Sequence, residues 1–139
     1  MKNNGFTLIE LMMVVIIIGI LAAIIVPRYI NRTQEAQIVV AKASISSIGM
    51  GLKMYEMDNG KFPTTEEGLN ALVEKPSSSV PEKWKGPYLE QELIDPWGHS
   101  YQYRRPSQNN HPDFDVWSSG PDERDGTDDD IGNWKKSKN

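Results

Sequence analysis

The chain has 139 residues, room for one domain and an appendage, and its formal charge of −4 comes without the basic stripe that nucleic acid selects. It holds no cysteine, which excludes disulfides and thiolate metal sites. Mean hydropathy is −0.51 although one block is almost wholly apolar, so the rest of the chain is unusually polar.

That block comes first. Five residues, Met1 to Gly5, with Lys2 as their one base, precede an apolar run from Phe6 to Val26 that contains a single ionisable group, Glu10. As a helix at about 1.5 Å per residue the run would reach about 31 Å, enough to cross a bilayer core. An ordinary cleaved signal peptide would have only about 7–15 apolar residues and an A-x-A-like site, and neither is present. A plain signal anchor would leave Glu10 without a purpose. A carboxylate in a span costs about 2.5–3.5 kcal/mol at its centre and less near an end, so Glu10 implies a function. Gly19 and Ala23, four apart, make a small-xxx-small face that lets helices approach in lipid. Pro27 lacks an N–H and crowds the carbonyl of Ala23, which predicts a kink. Lys2 and the N-terminus on one side roughly balance Arg28 and Arg32 on the other, so charge does not fix an orientation.

Beyond Pro27, Ile38, Ala41, Ile45, Ile48, Leu52 and Tyr55 recur at spacings of 3, 4, 3, 4 and 3. This places them on one stripe of a helix that packs on its own domain. Asp58-Asn59-Gly60 predicts its end, with Gly60 free to take positive φ. Residues 6 to about 58 therefore read as one long helix. Thr64 and Glu67 form a capping-box pair that predicts a short helix through about Val73, packing Leu69 and Leu72 on the long one. Pro76 to Pro87 reads as loop. Asp95-Pro96-Trp97-Gly98 is a turn before a strand over 100–105 with alternating Tyr101 and Tyr103. A second strand is expected over 113–118, with Phe114 and Val116 on one face. The soluble part beyond the long helix is small, near the size where a core needs a staple.

Residues 120–130 hold six acids (Asp122, Glu123, Asp125, Asp128, Asp129 and Asp130) and one base, Arg124. Clustered carboxylates with Gly and Thr are hard oxygen donors suited to Ca²⁺. The EF-hand pattern is not met, and from charge alone a solvated acidic loop is an equal reading. His99 and His111 lack a second ligand at metal spacing. Ser118, Ser119, His111 and Asp113 have no nucleophile-elbow context that would make a triad. Trp97, Trp117 and Trp134 read as core or interface anchors. No convergent catalytic set is present, so the chain does not read as an enzyme.

GFTLIE at the start, the segment YEMDNGKFPTTEEGLNALV, DPWG, and the loop SSGPDERDGTDDDIGNW together resemble the major pseudopilins of bacterial type II secretion, within the type IV pilin-like group. The resemblance covers nearly the whole chain. It implies an α+β, type IV pilin-like fold: one long N-terminal helix on a small antiparallel β-sheet with a calcium-binding C-terminal loop. The domains implied are a prepilin leader at 1–5, a transmembrane and filament-core helix at 6–26, and a periplasmic domain at 27–139. The last divides into an amphipathic helix at 27–58, a short helix and loops at 59–99, a β-sheet at 100–118 and the calcium loop at 119–134.

By the same resemblance a prepilin peptidase cuts between Gly5 and Phe6 and N-methylates Phe6. Glu10 pairs with the terminal amine of a neighbouring copy, and the helix loosens between Gly19 and Pro27 on assembly. Asp122, Asp129 and Asp130 would bind calcium with Thr127 and the carbonyls of Ser119 and Arg124, while Asp128, Glu123 and Asp125 add carboxylates. The implied product is a homopolymeric pseudopilus, rooted in the bacterial inner membrane and working with minor pseudopilins and an assembly platform to export folded proteins. A surface type IV pilin or DNA-uptake pseudopilin is the alternative in the same class; a membrane-anchored calcium-binding enzyme is the alternative in another. No nucleic-acid partner is implied.

Overall fold

The computed structural model describes residues 5–77, 83–90, 92–109 and 111–135, with the side chains of 26–31 outside that set. One helix, α1 (Leu8–Asn59), occupies 52 residues. Residues up to Ala36 form one compact unit, and those from Gln37 onward form another. In the first, Leu8–Ile25 is long and apolar enough to cross a bilayer, and none of its residues is buried within the chain. The side chain of Pro27, and the kink expected there, lie outside the described residues.

In the second unit the stripe of α1 becomes the core. Ala41, Ile45, Ile48, Leu52 and Tyr55 are buried and Ile38 is half-buried against them. Each large apolar side chain so placed contributes about 1.5–3 kcal/mol. The helix ends where Gly60 turns to φ +76° and donates its N–H to the Glu56 carbonyl at 2.7 Å. Asn59 Nδ2 caps the Tyr55 carbonyl at 2.9 Å.

Thr64 and Glu67 satisfy each other reciprocally: Thr64 N donates to Glu67 Oε2 at 2.8 Å, and Glu67 N to Thr64 Oγ1 at 3.2 Å. The short helix expected after them forms, as a 3-10 helix rather than an α-helix. Gly68 takes φ +61°, so the helix starts after it and spans four residues, Leu69–Leu72. Leu69 and Leu72 are still buried on the core, so packing survives the change of helix type.

The sheet is antiparallel in the order β1 (Gln102–Arg104), β2 (Asp115–Ser118), β3 (Ile131–Gly132). Tyr103 faces Val116 and Trp117 faces Gly132 in register. The region read as a loop over 119–134 therefore contains a strand, too short to show a period in the sequence. Tyr101, Tyr103, Phe114 and Val116 close over the stripe of α1, and Phe62 meets Phe114 edge-on at 5.1 Å.

All four β2 residues are buried, so this strand is covered on both faces rather than one. On the face away from α1, Trp117 lies beneath the Arg104 guanidinium, 5.0 Å from its ring, and 6.1 Å from the Trp134 ring. Asp115, fully buried, accepts from Arg104 Nη2 (2.8 Å), Ser107 Oγ (2.6 Å) and Gln108 N (2.8 Å). Burial pushes its carboxyl up, but the Ser107 hydroxyl, Arg104 and the Gln108 N–H together hold it below the ordinary value. A depressed folded-state pKa gives stability that is present above the unfolded value, about 3.9, and lost as pH falls through the folded one. Thermal melts of the domain from residue 37 should thus decline below about pH 4. Asp115→Ala should cost roughly 3 kcal/mol by orphaning Arg104 and should flatten that acid limb.

Candidate functional site

Two places carry the residues that the sequence singles out. At the head of α1, the Thr7 backbone N–H and hydroxyl each donate to Glu10 Oε2 at 2.9 Å, and Glu10 N donates back to Thr7 Oγ1 at 3.3 Å. This is a reciprocal capping box: it satisfies donors that the first helical turn leaves orphaned. Glu10 Oε1 accepts no hydrogen bond from the described residues. Phe6 precedes the cap, 79% exposed. A Cβ added at Gly5 or Gly19 would meet nothing within 4 Å, so each backbone is open to close approach. Thr7 had a legible signal, since T-x-x-E opening an apolar run is the capping signature, but the cost of Glu10 in lipid draws the eye away from it.

The second place is the loop between β2 and β3. Its root is set by Asp95 of the DPWG turn. Asp95 Oδ1 accepts from Trp97 N (3.0 Å) and His99 N (2.9 Å), and its Oδ2 accepts from the Ser118 hydroxyl. Ser118 Oγ in turn accepts from Gly120 N at 3.2 Å. At Gly120, φ is +68° and an added Cβ would stand 2.4 Å from the Asp129 carbonyl oxygen, so the two ends of the loop meet backbone to backbone.

Within the loop, Asp122 N donates to Asp129 Oδ2 at 2.9 Å, and Asp122 Oδ1 accepts from Arg124 N at 2.8 Å. The Thr127 hydroxyl donates to Asp129 Oδ1 and lies 3.3 Å from the Arg124 carbonyl oxygen. That hydroxyl, followed by the Asp122 N–H, holds the Asp129 carboxyl below its ordinary value and so anionic. Asp130 is buried. Its Oδ2 accepts from Gly126 N at 2.8 Å, and its Oδ1 has no partner among the described residues. Asp122, Thr127, Asp129 and the Arg124 carbonyl are thereby brought together, with Asp130 following directly in sequence. Among the described residues no three carboxylate or imidazole side chains converge as a cluster. Asp125 is engaged elsewhere, accepting from the Trp117 indole N–H. His99 Nε2 lies 3.8 Å from Glu123 Oε2. Asp95, Ser118 and the Asp125–Trp117 contact lie far from the loop's own motif or look like any other acid, and the sequence gives them no separate signal.

The fold is that of a pilin-like subunit: a long apolar helix entering a small α+β domain. Residues 28–134 match the family described as Type II secretion system (T2SS), protein G, and residues 1–26 match the prokaryotic N-terminal methylation motif. Type II secretion system core protein G of Pseudomonas aeruginosa is 46% identical over 138 residues, covering 96% of both chains. That of Vibrio cholerae is 41% identical over 135 residues, covering 96% of this chain and 92% of its own. The crystal structure of the major pseudopilin from enterohaemorrhagic Escherichia coli superposes with a TM-score of 0.68 at 38% identity, covering 75% of this chain and 87% of that one. The chain belongs to the type II secretion protein G family, the major pseudopilins, which are structural subunits of the pseudopilus.

Gly120→Ala should force the loop ends apart, because the obstructing atom is backbone and cannot rotate away, and should cost about 1–3 kcal/mol. Limited proteolysis should then cut within 120–130 far faster than in the parent, with β1 and β2 intact.

Proposed function

We propose that this chain is made as a prepilin, cut after Gly5 and methylated at Phe6, and held in the bacterial inner membrane with its C-terminal domain in the periplasm. From there it polymerises into a pseudopilus that helps move folded proteins across the outer membrane, with minor pseudopilins and an inner-membrane platform as its other partners. Its role is structural rather than enzymatic.

The observation that carries this is Glu10 on an apolar segment, Leu8–Ile25, none of whose residues is buried within its own chain. One carboxylate oxygen is taken up by Thr7 and the other is left for a donor from outside. The donor of matching chemistry is the amine freed at Phe6 of a neighbouring copy, since a buried carboxylate and a buried amine each cost several kcal/mol alone. Gly19 and the Pro27 position supply the weak points at which the helix could loosen during packing. Mass spectrometry of membrane-extracted protein should find the terminus at methylated Phe6. Glu10→Leu should insert and be cleaved normally yet yield few filaments; a normal filament yield would remove Glu10 from assembly.

For the 119–130 loop the proposed ligand is Ca²⁺. The donors are all hard oxygens, Asp129 is anionic, and the buried Asp130 Oδ1, with no partner among the described residues, fits a cation. Asp122, Asp129, Asp130, Thr127 and the carbonyls of Ser119 and Arg124 would hold it, and its charge would relieve the repulsion among the loop's carboxylates. Asp125 is left out of this set because the Trp117 indole already uses it. A ligand that binds only the folded loop stabilises by about 2.7 kcal/mol at a hundred times its Kd. Chelation should lower the melting temperature and expose residues after 118 to protease; equal melting with and without calcium would overturn the assignment.

A further inference from the structure

Trp117 is buried in β2, yet its indole N–H reaches out of the sheet and donates to Asp125 in the acidic loop. The ring itself is clamped. The Arg104 guanidinium lies 5.0 Å from its centre, and the Trp134 ring lies 6.1 Å away. Gly132, the register partner of Trp117, makes room for that second ring: an added Cβ there would stand 2.4 Å from it. Between them, the Asn133 side chain accepts from Val116 N at 3.0 Å and donates to the Phe114 carbonyl at 2.9 Å. Gly132, Asn133 and Trp134 thus hold Trp117 as a fixed post.

Asp125 differs from the other acids of the loop. It is exposed, whereas Asp130 is buried and Asp129 half-buried. What surrounds it along the chain is more telling than its own carboxylate. On one side is the Arg124 carbonyl, which shares the Thr127 hydroxyl at 3.3 Å and is one of the oxygens proposed for the cation. On the other is Gly126, at φ +85°, whose N–H donates to Asp130 Oδ2 at 2.8 Å. That bond takes up one oxygen of Asp130, and Oδ1 is the one with no partner among the described residues. A contact that fixes Asp125 therefore fixes a carbonyl ligand and a carboxylate ligand at once.

We infer that Trp117 is a positioning residue for the cation site: its indole N–H pins Asp125 so that the Arg124 carbonyl and the Asp130 carboxylate are set before the ion arrives. Asp125 serves as an acceptor for the indole and stays outside the ion's shell. Calcium affinity depends on the rigidity of the site as well as on its charge, and a loop ordered beforehand loses less freedom on binding. Outer partners that orient metal ligands change affinity about 10–100-fold, and an exposed contact belongs at the lower end of that range.

This role presupposes calcium in the loop, and the test separates the two. Calcium is titrated calorimetrically into the full-length, detergent-solubilised chain after treatment with chelator. Asp125→Asn and Asp125→Leu remove the same charge, but only the amide keeps an oxygen for the indole. Asp125→Asn should therefore bind calcium about tenfold more tightly than Asp125→Leu. Trp117→Phe keeps an aromatic ring without the N–H and should weaken binding about tenfold. Combined with Trp117→Phe, the two Asp125 variants should bind alike, because the contact that told them apart is gone. Melting in chelator should be the same for both Asp125 variants, which assigns the difference to binding rather than folding. A difference that persists beside Trp117→Phe would make Asp125 a ligand of the ion and overturn the strut. Equal affinity of the two variants in the parent background, or parent-like affinity of Trp117→Phe, would also overturn it and leave calcium in place. A parent chain that binds no calcium would overturn the cation assignment and this role together.

Discussion

One helix must be soluble in two different surroundings. Along Leu8–Ile25 it is apolar all round except at Glu10, and none of its residues is buried by its own chain. From Gln37 onward it is apolar mainly along one stripe, and that stripe is the centre of a folded domain. The rest of the structure answers to this division. The sheet, the 3-10 turn and the aromatic lid all exist to cover six residues of α1, whereas the first segment can be covered only by lipid or by other helices. A subunit built this way has a folded part that is complete alone and an apolar part that never is.

The small domain reaches stability without a disulfide by making polar groups do structural duty. Asp115 sits fully buried where Arg104, Ser107, the Gln108 N–H and, at 3.3 Å, the Asn109 side-chain amide all donate to it, and Asp95 collects two backbone N–H groups and a serine hydroxyl. Such buried acids are weak sources of net stability, but they are costly to leave half-satisfied, and so they specify one arrangement of strands and turns. β2 is held by apolar packing on the α1 side and by this polar and aromatic layer on the other. The loop that follows it inherits its starting geometry from Ser118 and Gly120.

Much of this was legible in the residues, and for physical reasons. A stripe at 3.6-residue spacing, a capping pair three apart and a glycine at a helix end each encode local geometry that tertiary contacts did not override. Where local signals conflicted, the type and length of an element were not legible. The capping pair at Thr64 and Glu67 marked a short helix, and one formed, but Gly68 takes a φ that no helix can use, so the helix starts after it and is of the 3-10 type. β3, two residues long, has no period to detect. The shared hydrogen bonds of Asp95, Ser118 and Gly120 join segments 23 residues apart, and no spacing rule reports them. At the candidate sites, composition located the acidic loop and Glu10 but could not say which oxygens were spoken for. That the Trp117 indole occupies Asp125 while one Asp130 oxygen has no partner among the described residues depends on how the loop folds.

The clasp between Thr7 and Glu10 begins two residues after Gly5, and neither half of it belongs to the first five residues. Trimming the chain after Gly5 would therefore expose a new charged end without unravelling the turn beneath it. The helix would meet its neighbours already wound to its first residues, with its tip stiff and the changed group standing just outside. Such a cut would alter the chemistry of the helix's end while sparing its shape.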